Sequence, residues 1–211
     1  THNFTQASND LTSRPFLQLG LSNAIINYTP VPAWFTPPVM LYTNLPIIKI
    51  NTLGQTIVDD PRIICDMGII DNGPGNMNCV SDPHNNYDGK VSIEIRGASS
   101  QSVPKKGYGF STLDAAGINT QNVSILGMPA ENDWVLNATY TDKTFMRDVL
   151  MYDLARYMGW YTTRVRYVEV VLNGDYRGIY ILQEKVKQDK NRCDVEKLTN
   201  TMNTGDSLTG G

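Results

Sequence analysis

The chain has 211 residues, 41% hydrophobic and 18% charged, with a formal net charge of -3. That length supports one domain with an irregular extension, and the weak negative charge offers nucleic acid no basic face. No apolar run approaches the roughly 20 residues a membrane-crossing helix needs. Cys65, Cys79 and Cys193 show no C-x-x-C spacing, which argues against zinc; Cys65 and Cys79 pair in an oxidising compartment, or all three are unrelated thiols. Many Asn and Thr and few Lys go with an extracellular surface, and a first residue Thr1 goes with a processed product or fragment.

Residues 1–44 mix polar stretches with prolines, as in Pro30-Val31-Pro32 and Thr36-Pro37-Pro38. Proline lacks an amide donor and fixes its own torsion, so this reads as an irregular extension with a short strand near Val39–Tyr42. A domain over 45–211 follows. Strands are expected over Pro46–Asn51 and Arg62–Met67, then a turn-rich loop from Asp71 to Asp88. Val91, Ile93 and Ile95 alternate with Ser92, Glu94 and Arg96, the period of a half-buried strand. Tyr108–Leu113 and Trp134–Tyr140 read as further strands. Over Lys143–Met158, an apolar stripe of Met146, Leu150, Leu154 and Tyr157, widened by Val149 and Met158, predicts a helix. Asp142 can cap it and Gly159 can end it. Arg164–Leu172 and Arg177–Glu184 form a hairpin around Asn173-Gly174, and Asp194–Leu198 can make a helical turn. The expectation is an α+β fold, a mostly antiparallel sheet with one main helix.

Two stretches carry chemistry. In Arg96-Gly97-Ala98-Ser99-Ser100-Gln101-Ser102-Val103-Pro104-Lys105-Lys106, a strand enters a small, hydroxyl-rich loop and two lysines follow. Backbone amides and hydroxyls there can meet phosphate oxygens, with a lysine as a point charge; a surface turn with solvated lysines is the plainer alternative. In Asn173-Gly174-Asp175-Tyr176-Arg177-Gly178-Ile179-Tyr180-Ile181-Leu182-Gln183-Glu184, period two puts Glu184 on the face of Tyr180 and Leu182. That carboxylate sits at a wet rim or pairs with a cation.

Arg96-Gly97-x-Ser99-Ser100 with Pro104-Lys105-Lys106, then Asp142 and Arg147, then Asn173-Gly174-x-Tyr176-x-Gly178-x-Tyr180-x-Leu182-x-Glu184, resembles the CotH kinase family in order and spacing. The likeness runs from about Leu45 onward. It implies an atypical protein-kinase-like fold, here partial, that binds ATP with Mg2+ and phosphorylates serines of secreted or coat proteins. It also implies a secreted or cell-surface location, with a bacterial origin as part of the same expectation. By the resemblance, Arg96, Ser99, Ser100, Lys105, Lys106 and Glu184 serve the nucleotide. Lys105, or alternatively Lys106, meets phosphates, and Glu184 orients that lysine through an ion pair. Asp142 and Arg147 read as a helix cap and a surface charge.

The family's catalytic and magnesium-binding aspartates are expected beyond the segment resembling Asp206–Gly211, so no residue is assigned as catalytic base or metal ligand. Phosphoryl transfer is not expected of this chain alone. Two other chemistries fail. A calcium loop around His84 to Ile95 lacks its bidentate Glu at the twelfth position. A serine hydrolase lacks both a Gly-x-Ser-x-Gly elbow and a usable histidine beyond His2 and His84. The rival from another class is a non-catalytic surface or adhesion module that keeps the fold without the chemistry.

Overall fold

The computed structural model describes residues 42–196. They form strands β1 (Ile47–Asn51), β2 (Ile63–Ile70), β3 (Tyr87–Arg96), β4 (Gly107–Thr112), β5 (Asp133–Asn137), β6 (Val165–Leu172) and β7 (Asp175–Glu184). One α-helix, α1 (Arg147–Tyr157), lies between β5 and β6. Most of the expected extension over 1–44 lies outside the described residues, as do the last two residues of Asp194–Leu198, whose first three form no helical turn.

The expected α+β, kinase-like sheet is overturned. The strands close into a mixed barrel in the order β1-β2-β3-β4-β5-β7-β6. Closure comes from a parallel pairing of β1 with β6, with Ile48 opposite Val170 and Ile50 opposite Leu172. The other neighbours are antiparallel. Local alternation marks strands but carries no information on a parallel contact between segments more than 100 positions apart. That contact closes the sheet into a ring, leaving an edge open where neighbouring strands differ in length.

Side chains alternate across each strand, so one set fills the barrel. Ile48, Met67, Ile93, Phe110, Trp134, Val170, Tyr180 and Leu182 belong to a single buried cluster. On the other face Ile47, Ile70 and Val171 make a small second cluster with Val80 and Tyr176. The Asn173-Gly174 turn forms as expected, with φ of 53° and 81°, the left-handed pair that a two-residue hairpin requires. β3 starts at Tyr87, inside the segment expected to be loop, because Tyr87 pairs with Ile69 of an extended β2. β5 ends at Asn137, three residues short of the expected Tyr140.

The helix differs most from expectation. It begins at Arg147 rather than Lys143, although Asp142 does accept the Arg147 amide at 3.1 Å and Gly159 ends it at φ 86°. None of its residues is buried. Leu150, Leu154 and Tyr157 are exposed, while Val149, Tyr152 and Ala155 are half-buried. Amphipathic spacing predicted the helix and its apolar stripe, but among the described residues that stripe faces away from the barrel. The two layers of an α+β fold are therefore not made.

These placements separate two substitutions of comparable apolar character. Trp134→Ala removes a fully buried ring and costs about 3–5 kcal/mol, whereas Leu150→Ala stays within about 0.5 kcal/mol. Urea unfolding of both variants checks this, and equal losses would contradict the packing described.

Candidate functional site

A difference in strand length creates the site. β5 pairs with β7 only from Glu184 back to Ile181, while β7 continues to Asp175. The Glu169 amide donates to the Pro46 carbonyl at 2.9 Å, away from β7. Glu169 and Ile179 are opposite each other, so theirs is a non-hydrogen-bonded antiparallel pair, and the Ile179 carbonyl faces the side that β5 has vacated. The Lys105 ammonium donates to that carbonyl. It also lies over the rings of Tyr180, at 4.3 Å from the centroid, and Phe145, at 5.1 Å. Cation–π contact replaces part of the lost water. Burial still lowers the Lys105 pKa to about 8; the nearby Glu169 charge opposes that shift and Lys143 adds to it.

The loop before Lys105 folds on a glycine. Gly97 has φ 113°, and a Cβ there would come within 1.9 Å of Ser100 Oγ. Ser99–Ser102 then make a short 3-10 turn, closed by the Ser102 hydroxyl donating to Ser99 O at 2.7 Å. Lys106 donates to Gln101 O at 2.6 Å and so ties this turn down from the side opposite Lys105.

The six sequence-derived site residues therefore divide into three groups. Arg96, Ser99, Ser100 and Lys105 line one cleft of about 360 Å³, walled across from the turn by Asn137–Thr141. Lys106 lines a different hollow of about 280 Å³ with Gln55, Ile57 and Asn173. Glu184 lines neither. Its carboxylate is fully buried, and Oε1 accepts from Arg164 Nη1 at 2.9 Å and from Arg192 Nη1 at 2.8 Å. Its Oε2 accepts the Arg164 amide at 3.0 Å.

The expected ion pair between Lys105 and Glu184 does not form. Lys105 is anchored at Ile179, five positions before Glu184, or roughly 16 Å along an extended strand. Glu184 does share the face of Tyr180 and Leu182, as its spacing predicts, but meets Arg164, just before β6, and Arg192, in the segment after β7. Arg192 completes that cluster, fully buried with its guanidinium 4.9 Å from the Trp134 ring.

Two residues of this region escaped the sequence reading. Glu169 is nearly buried, takes the Tyr176 hydroxyl, and accepts from Thr43 Oγ1 at 3.3 Å. Its signal was available: a single carboxylate interrupts the apolar run Val168-Glu169-Val170-Val171-Leu172. Thr139 lines the cleft at φ 46°, a conformation rare for a β-branched residue. Nothing in the sequence distinguished it from the end of a strand.

A partly desolvated ammonium, an arginine and several hydroxyls line one concavity, groups of the kind that can meet an anion rich in oxygen. Residues 93–208 match the family model described as CotH kinase protein, more than half of the chain, and the chain belongs to that family. The match takes in both chemical stretches but begins within β3, so the likeness expected from Leu45 is matched only from residue 93. No curated protein matches the chain.

Two outcomes follow for stability. Glu184→Gln leaves the buried Arg192 guanidinium, and the part-exposed one of Arg164, facing a neutral amide, and the buried pair alone makes the loss about 3–5 kcal/mol in urea unfolding. Lys105 titrates at about 8 when folded and at the ordinary 10.5 when unfolded. Between those values the unfolded chain holds the extra proton, so stability rises with pH across that window. In Lys105→Met this contribution to the rise is absent, and an identical slope in the variant would contradict the burial of the ammonium.

Proposed function

We propose that the chain binds ATP in the cleft between the Ser99–Ser102 turn and the Asn137–Thr141 segment, with the phosphates against Lys105. The observation that carries this is the Lys105 ammonium, held at an open strand edge where Arg96, Ser99 and Ser100 line the same space. Membership of the CotH kinase family supports kinase-like chemistry. The finer reading is transfer of the γ-phosphoryl group to serine hydroxyls of secreted or coat proteins, in a chain that also carries the family's catalytic aspartates. A secreted or surface location belongs to the same proposal.

The described residues include candidate donors to the phosphates; Mg2+, which one or two carboxylates and the phosphates themselves can hold, has no assigned ligand. Among the described residues, no group of three or more His, Cys, Asp or Glu could hold a metal ion. In this proposal Mg2+ enters as the counter-ion of ATP, and no described side chain is assigned as its ligand. Charge neutralisation is what the ion supplies in such reactions. This chain's residues do the rest at the cleft: Lys105 and Arg96 attract the phosphates, and the Ser99 and Ser100 hydroxyls offer donors to them.

A second reading has one observation in its favour. The exposed apolar surface of α1 suits a module that binds another protein and performs no chemistry.

Calorimetric titration with Mg·ATP separates the two. The wild-type chain binds, and Lys105→Met weakens binding by about tenfold or more, the scale of a charge-assisted hydrogen bond. Binding to the wild type weakens as pH rises past about 8, where free Lys105 loses its proton. Equal affinity in wild type and variant would remove Lys105 from the site. Absence of binding by the wild type would leave the non-catalytic module.

A further inference from the structure

Thr139 carries two costs at once, and both fall in the wall of the cleft. It is only 8% exposed, yet its Oγ1 has no hydrogen-bond partner among the described residues. A buried hydroxyl left unpaired forfeits its hydration with no return. Its backbone sits at φ 46°, where a β-branched side chain crowds its own main chain. Valine has the same shape and the same strain without the polar atom, so packing alone gives no reason for the hydroxyl.

The backbone around Thr139 shows how the position is set. β5 ends at Asn137, and Asn137 Oδ1 accepts the Thr139 amide at 3.1 Å. Asn137 Nδ2 in turn donates to Asp148 Oδ2, in the first turn of α1, at 3.1 Å. The segment is thus tied to the strand end on one side and to the helix on the other. Thr139 is held against the same cleft as Lys105, Arg96, Ser99 and Ser100.

We propose that Thr139 is a ligand-positioning residue, whose hydroxyl donates to a phosphate oxygen of the bound nucleotide when the segment 138–141 reseats on binding. The proposal rests on the nucleotide reading of the cleft and adds to it a specific donor on the wall opposite the Ser99–Ser102 turn. The free state keeps the hydroxyl unpaired, and the ligand supplies the missing acceptor. Stability is given up in the free protein for a contact made only in the complex.

The test compares the whole chain with Thr139→Val, Thr139→Ser and Lys105→Met, titrating each by calorimetry with Mg·ATP and with inorganic tripolyphosphate. Thermal unfolding of each free protein is measured alongside. Thr139→Val is expected to weaken both ligands by about tenfold or more, the worth of one hydrogen bond to a charged group. It should melt no lower than wild type, because an unpaired buried hydroxyl has gone. Thr139→Ser should bind nearly as wild type does.

Wild-type affinity in Thr139→Val, with Lys105→Met impaired, overturns the role of Thr139 and leaves the nucleotide site standing. A loss seen with Mg·ATP but not with tripolyphosphate overturns the phosphate contact. A lower melting temperature in Thr139→Val, restored by Thr139→Ser, shows a structural hydroxyl and overturns the proposal. No binding by the wild-type chain overturns both this role and the site itself.

Discussion

β5 is five residues long and β7 is ten, and the arrangement of the cleft follows from that mismatch. Where β5 stops, β7 presents a carbonyl that no strand takes. That carbonyl is part-buried, and the group that satisfies it is the ammonium of Lys105. The same early end of β5 sends the chain through Asn137–Thr141 and into α1, forming the far wall. One short strand thus both anchors the lysine and makes the space in front of it.

Lysine suits this position because its charge can be weakened. Held over Tyr180 and Phe145 and largely out of water, the ammonium loses hydration that only a counter-charge returns. Glu169 supplies part of that counter-charge from β6, although the two groups do not form an ion pair within the described residues. A polyanion entering the cleft would supply far more. The electrostatic deficit of the free protein is therefore a source of affinity for a phosphate chain.

Glu184 has a different job from the one its motif implies. Buried against Arg164 and Arg192, it joins β7 to the residue that leads into β6 and to the segment after β7, at the end of the barrel remote from Lys105. Its removal should be felt first in folding. Lys106 instead ties down the turn on which Ser99 and Ser100 are carried, through the Gln101 carbonyl. Among the residues that the family resemblance brought forward, Arg96, Ser99, Ser100 and Lys105 come together in one space.

Local order was legible in the sequence wherever the cause is local. Alternation marked β3, Asn173-Gly174 marked the β6–β7 turn, and Gly159 marked the end of α1. Barrel closure was not legible, because the β1–β6 pairing depends on distant segments that share no turn. The outward face of α1 was hidden for a related reason: a stripe shows which residues are apolar, not which neighbour receives them. Glu169 left a trace as a lone charge in an apolar strand, whereas Thr139 became distinctive only through its backbone angle and its unpaired hydroxyl.

The central claim is that a desolvated Lys105 waits for a polyanion, and its own titration is the most direct measurement. With the side-chain nitrogen labelled, nuclear magnetic resonance should show Lys105 titrating near 8 in the free chain. Addition of Mg·ATP should move that value upward. A lysine titrating at about 10.4, the value of an exposed one, and unmoved by the nucleotide would contradict the account.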